Sequence, residues 1–134
     1  MQRILINSLE GPALEWVVAT LLGFNALTYH PTTRSVTSRQ PNGLALTHDY
    51  TTNWNLTGPL LHSERINTNY CQDLRCVGRE GLYVHCAPFQ GKELAGYWRG
   101  SHSRPLTAGL RCFVRLKNHR DDFVEVPDGI PSAA

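Results

Sequence analysis

Apolar residues in this sequence come in short groups, each closed by a proline, glycine or asparagine break. The first group, within Gln2–Asn7, reads as a short strand or ordered lead-in. Gly11-Pro12 then opens a helix, because a proline's missing N–H has no intrahelical partner in the first turn. Leu14, Trp16, Val17, Val18 and Leu21 follow the spacing that turns one broad helical face to a core. Gly23 is the expected stop, since a left-handed residue there satisfies loose carbonyls. Residues 25–47 carry little periodic signal. Pro41-Asn42-Gly43 marks a turn with a short strand on each side, the better one at Leu44–Thr47.

Tyr50, Thr52 and Trp54 alternate, which predicts an extended segment with one aromatic face. Gly58-Pro59 breaks it, and a short helix is expected over 59–66. Residues 67–79 are polar and irregular. Leu82–Ala87 and Leu94–Arg99 read as strands and predict an antiparallel pair. Ser103 is the expected N-cap of the clearest helix, in which Leu106, Leu110, Phe113 and Val114 should be core. Arg111 is flanked by apolar positions there, so its guanidinium is expected to reach Glu64 or a bound anion. Phe123–Val126 reads as a closing strand, ended by Pro127. The prediction is an α+β fold: a small antiparallel sheet packed with two main helices and one short helix. It places one domain at 1–127 and a flexible tail at 128–134.

A chain of 134 residues can bury a real core without staples. Hydrophobic content of 41 % against 18 % charged residues is that of a globular protein. The formal charge of +2 falls short of the basic stripe expected of nucleic-acid binders, so nucleic acid is not the expected partner. Lys92 and Lys117 are the only lysines, and arginine is the better bidentate partner for phosphate or carboxylate. This tilts the reading towards an anionic small molecule. No apolar run is long enough to span a membrane, and Met1–Ile6 is too short for a secretory signal. A cytoplasmic protein is therefore expected, with Cys71, Cys76, Cys86 and Cys112 as free thiols. The Cys71-x4-Cys76 spacing lacks the tight pairs of a zinc site, so neither metal nor other cofactor is expected.

The chemistry concentrates between Asp49 and Ile66. Tyr50 and Trp54 offer stacking surface, Thr52 and Asn53 offer hydrogen bonds, and Glu64-Arg65 offers an ion-pairing fork. Trp98 and Arg111 repeat the aromatic-plus-arginine theme. The mixture suits a pocket for a polar, planar ligand. The same residues also read as core and surface, because tryptophan and tyrosine often fill interiors with their polar tips satisfied locally. Trp16 is open to the same two readings, core pillar or pocket wall. Neither phosphate-cradling glycine loop occurs, nor a Gly-x-Ser-x-Gly elbow, nor His-Glu-x-x-His. His85 and Cys86 are neighbours on a predicted strand and face opposite ways. A His48–Glu64 acid–base pair rests on sequence proximity alone. The chain reads as a binder before an enzyme.

In order, these residues resemble the small tailed-phage and prophage proteins called NinX, a family without an assigned biochemical activity. Leu9, Gly11, Ala13, Leu14, Trp16, Val18 and Ala19 match the family's opening segment. Tyr50, Thr52, Trp54, Gly58, Pro59, Leu60, Leu61, Glu64 and Arg65 match its centre, with Asn53 in place of the usual acid and Thr51 in place of a serine. Trp98 matches a lone tryptophan before the last helix. Pro105, Ala108, Arg111, Cys112 and Val114 match that helix, and Val124–Pro127 the end. Residues 67–90 depart from the pattern, so nothing carries over to the cysteines there. The resemblance implies a phage accessory role in the cytoplasm of an infected bacterium. By analogy with small phage proteins that sequester nucleotide-derived immune signals, such as cyclic ADP-ribose isomers and cyclic oligonucleotides, the expected activity is holding such a ligand without turning it over. Tyr50, Thr52, Asn53, Trp54 and Trp98 would line the site, Arg65 and Arg111 would take negative charge, and Glu64 would orient one of them. A homo-oligomer is expected, because a small chain builds a deep pocket most easily at a symmetric interface. The alternatives are a nucleotide-processing enzyme using Glu64 or His48, and a protein- or nucleic-acid-interaction factor of phage replication.

Overall fold

The computed structural model describes residues 1–64, 66–70, 83–86, 99–102, 104–118 and 121–133, with 67–70, 83–86 and 99–102 described by their backbone alone. Along these residues run β1 (Gln2–Leu5), a 3-10 turn (Ile6–Ser8), α1 (Gly11–Leu21), β2 (Thr28–His30), β3 (Ser35–Arg39) and β4 (Ala45–Thr47). They are followed by α2 (Trp54–Ser63), β5 (Asn67–Tyr70), β6 (Tyr83–Cys86), β7 (Arg99–His102), α3 (Pro105–Lys117) and β8 (Phe123–Val126). The fold is α+β, as the hydrophobic pattern predicts. Its strands divide into three small antiparallel sheets, β1–β8, β2–β3–β4 and β5–β6–β7.

The core gathers around α3, where every residue from Leu106 to Val114 is buried. A helix covered all round needs neighbours on every side. α1 and α2 pack on it, and so does the β5–β6–β7 sheet. Leu14, Val17 and Val18 of α1 meet Leu110, Phe113 and Val114 in one cluster with Ile6, Val124 and Val126 from the β1–β8 end. Gly23 carries φ +92° just past α1, the left-handed stop read from the sequence. Between β3 and β4, Gly43 carries φ +85°, and Leu44 N donates to Asn42 Oδ1 at 3.0 Å. This is the hairpin that Pro41-Asn42-Gly43 predicts, in register Thr37↔Thr47 and Arg39↔Ala45.

Four expectations need correction. α2 begins at Trp54, not near Pro59, which lies inside the helix. The alternation of Tyr50, Thr52 and Trp54 is outweighed by Asn53, whose side chain accepts from Asn55 N at 2.9 Å as an N-cap. Thr57 and Leu61, four residues apart, form the buried face. The N-cap of α3 is Arg104, not Ser103, which lies outside the described residues. β7 occupies 99–102, beyond the expected Leu94–Arg99, of which 94–98 are outside the described residues. The stretch 128–133, expected to fray, is docked. Ile130 is buried, and Gln2 Nε2 donates to the carbonyls of Pro127 and Ile130 at 3.1 and 2.6 Å. Ala13 N donates to Pro131 O at 3.1 Å, and Glu10 N to Ser132 Oγ at 3.1 Å. The first turn of a helix has free N–H groups that need acceptors, and the end of the chain supplies them to α1.

Candidate functional site

Glu15 organises the region. It sits on α1 between Leu14 and Trp16, is 7 % exposed, and reaches across to the segment that links β4 to α2. Its Oε2 accepts from Tyr50 N at 2.7 Å, and its Oε1 accepts from Thr51 N at 2.9 Å and Thr51 Oγ1 at 2.6 Å. Burial pushes its carboxyl up to about 7 against the pull of those three donors, and the charge of Asp49 adds to the rise. One carboxylate thus fixes where 49–52 runs.

Behind that segment lies a buried polar chain. His48 Nε2 is 2.9 Å from Ser38 Oγ, and His48 Nδ1 is 2.8 Å from Tyr50 Oη. Phe24 meets the imidazole edge-on at 4.6 Å between centroids. Burial holds His48 below its ordinary value and pushes the Tyr50 phenol up to about 12. Thr57 Oγ1 donates to the Tyr50 carbonyl. All these groups have partners within the fold, so the chain braces the segment.

In front of it opens a cleft of about 320 Å³. One side is the start of α1, with Glu10, Pro12 and Glu15. The β2–β3 turn contributes Thr33, Arg34 and Ser35, and the β4–α2 segment contributes Thr47, Asp49, Thr51 and Thr52. Arg104, Thr107 and Ala133 complete it. Arg34, in the left-handed region at φ +55°, donates from Nη2 to Ala133 O at 3.1 Å. The lining is rich in hydroxyls and carries carboxylates and guanidinium groups. It can hold a polar ligand that presents hydroxyls and negative charge. The volume lies at the small end of ligand sites, the scale of a sugar phosphate. No protein-family model and no curated protein matches the chain.

Of the eight residues singled out from the sequence, six are described, and the structure does not gather them at this cleft. Thr52 lines it. Tyr50 lies buried behind it, and Asn53 caps α2. Trp54 is 51 % exposed on α2 and does not line the cleft. Glu64 pairs with Lys117 at 2.8 Å, on the surface. Arg111 is buried, donating from Nε to Leu9 O at 2.8 Å and pairing through Nη2 with Glu10 Oε1 at 3.3 Å, so its carboxylate partner is Glu10 in place of the expected Glu64. Arg65 and Trp98 lie outside the described residues. The envisaged His48–Glu64 pair is not formed, since each has the other partners named above. Trp16 serves both of its readings: it packs against the core and walls a second groove of about 530 Å³ between α1 and the β1–β8 sheet. In that groove Arg3 stands 4.0 Å over the Phe123 ring, and Asn118 Nδ2 donates to Phe123 O at 2.9 Å. Among the described residues, no helix is long and apolar enough to cross a membrane, and no group of acids, histidines or cysteines is placed to hold a metal ion.

Glu10, Glu15, Arg34, Asp49 and Arg104 are the charged residues of the cleft that were not among the ligand residues read from the sequence. Glu15 left a signal: a single carboxylate in the apolar run Ala13–Ala19, on the helical face of Val18 and Ala19.

Proposed function

We propose that this protein is a NinX-like phage accessory protein that binds a nucleotide-derived small molecule and holds it without turnover. The observation that supports this reading is the cleft between α1, the β2–β3 turn and the β4–α2 segment, where hydroxyls, carboxylates and two arginines converge. Threonine hydroxyls suit a sugar, and arginines suit a phosphate. The cleft accommodates the ribose-phosphate part of such a ligand, with a base directed outward. Recognition by an aromatic wall of Tyr50 and Trp54 loses its support, because one ring is interior and the other stands away from the lining. A homo-oligomer in the cytoplasm of an infected bacterium remains part of the proposal. The exposed side chains of Trp54 and Leu56 leave apolar surface on α2 that a second copy could cover.

Calorimetry against AMP, ADP-ribose, cyclic ADP-ribose isomers and cyclic dinucleotides tests the reading. At least one should bind with micromolar or better affinity, and chromatography after denaturation should return it chemically intact. No heat with any of them would remove the proposal, and a converted ligand would replace holding with catalysis.

A further inference from the structure

We infer that Asp49 reads a vicinal diol, so that the cleft selects ribo sugar phosphates over their deoxy counterparts. The inference rests on the cleft being a ligand site and names the group that sets its selectivity.

The charged groups around the cleft differ in how far the fold partners them. Glu15 is saturated by Tyr50 N, Thr51 N and Thr51 Oγ1. Glu10 is paired with Arg111. Arg34 gives one N–H to Ala133 O and keeps the rest of its fork. Asp49 differs. Its backbone carbonyl accepts from Thr52 N and Asn53 N, but no described residue donates to its carboxylate. Half-buried beside the cleft, that carboxylate has unused acceptor capacity on both oxygens. Water fills that capacity in the free protein, and the hydroxyls of a ligand can take its place.

Three kinds of partner can meet such a carboxylate, a cation, a pair of N–H groups or a pair of hydroxyls, and the dideoxy analogue tested below separates the last two. The guanidinium groups of Arg34 and Arg104, at the same cleft, oppose a cation and favour a ligand carrying negative charge elsewhere. A sugar phosphate satisfies both demands. Adjacent hydroxyls donate to the two Asp49 oxygens, and the phosphate lies towards the arginines. Thr47 and Thr52 stand on either side of Asp49 in the sequence and line the same cleft, which adds hydroxyl partners for a ring oxygen or third hydroxyl. Hydrogen bonds to an ionised acceptor are the strong ones, so removing the diol should weaken binding on the order of tenfold or more.

The test is titration of the unmodified protein with AMP, ribose 5-phosphate and 2′,3′-dideoxyadenosine monophosphate, followed by the same series with Asp49→Ala and Arg34→Ala. AMP should bind at least about tenfold more tightly than its dideoxy analogue. Asp49→Ala should bring the two within about twofold, while Arg34→Ala should weaken both and keep their ratio. Binding of ribose 5-phosphate as tight as AMP identifies free pentose phosphates as the source of the diol. Binding of AMP alone identifies a nucleotide. Either result supports the role of Asp49 when it comes with the tenfold preference for AMP over the dideoxy analogue and the loss of that preference in Asp49→Ala. Equal binding of AMP and the dideoxy analogue to the unmodified protein overturns this inference and leaves the proposed function standing. Failure of all three probes to bind overturns this inference, and the proposed function falls with it only where ADP-ribose and the cyclic nucleotides give no heat either. The comparison on unmodified protein decides the matter even if a variant folds poorly.

Discussion

Replacing Glu15 with glutamine separates the cost of burying its charge from the benefit of its hydrogen bonds. The carboxyl titrates at about 7 in the folded protein, against 4.5 for an ordinary glutamate. Between those values the folded chain holds a proton that the unfolded chain has lost. Stability from this group is therefore fully present below pH 4.5 and is lost as pH rises through 7. A gap of two and a half units corresponds to about 3 kcal/mol, or roughly 10 °C in Tm for a domain of this size. His48 acts in the opposite sense. Its value is lowered, so its contribution is present above the ordinary histidine value and lost in acid. The charge that bears on His48 is Asp49, so its slope is common to both proteins and cancels in their difference. The amide introduced by Glu15→Gln has no charge to lose, but it turns a donor towards either Tyr50 N or Thr51 N, which costs about 1–3 kcal/mol at every pH. Urea unfolding followed by tryptophan fluorescence from about pH 4.5 to 8 reads both terms. The unmodified protein should gain about 3 kcal/mol over the Glu15→Gln variant as the solution is acidified across that range. Parallel stability curves would refute the argument, because they would mean that Glu15 is ionised as easily in the fold as in water.

The remaining predictions concern other supports of the cleft. Arg111→Ala strands the Leu9 carbonyl and the Glu10 carboxylate, and should lower stability by about 3–5 kcal/mol in urea titration; a loss below about 1 kcal/mol would contradict the burial of that pair. Deleting the residues after Ile130 removes the acceptors at the start of α1 and should cost about 1–3 kcal/mol, with faster hydrogen exchange at Ala13 N. Asn53→Ala should cost about 1 kcal/mol and fray the first turn of α2, visible as lost exchange protection at Thr57 N. Trp54→Ala should leave stability within about 0.5 kcal/mol and AMP affinity within about twofold. A tenfold weaker AMP complex would return the indole to the binding wall.

Much of the scaffold was legible because its signals are local. Gly23 and Asn42-Gly43 each encode a backbone conformation that few other residues tolerate, and both stops fall where the sequence puts them. Leu106, Leu110, Phe113 and Val114 repeat at helical spacing, and all four are buried. The start of α2 is masked by the alternation of Tyr50, Thr52 and Trp54, while the signal that decides it is a single capping oxygen on Asn53. The cleft was harder to see. It forms where Glu15 meets Tyr50 and Thr51, residues 35 and 36 positions away, and no local pattern announces such a meeting. Aromatic rings drew attention to Trp54, yet what surrounds the cleft is mostly threonine, serine and arginine, residues that composition treats as ordinary surface. Arg111 was legible as a guanidinium in need of a partner; which carboxylate answers depends on the packing of α3 against the chain's beginning.

The pairing of β1 with β8 brings Ile4 opposite Val124. On the ribosome, β1 must therefore wait for β8 before it has a mate. Until then the nascent chain carries an unpaired edge and a helix whose opening turn lacks the Pro131 and Ser132 acceptors. β1 and α1 are completed only once the stretch from β8 to Ser132 has been made.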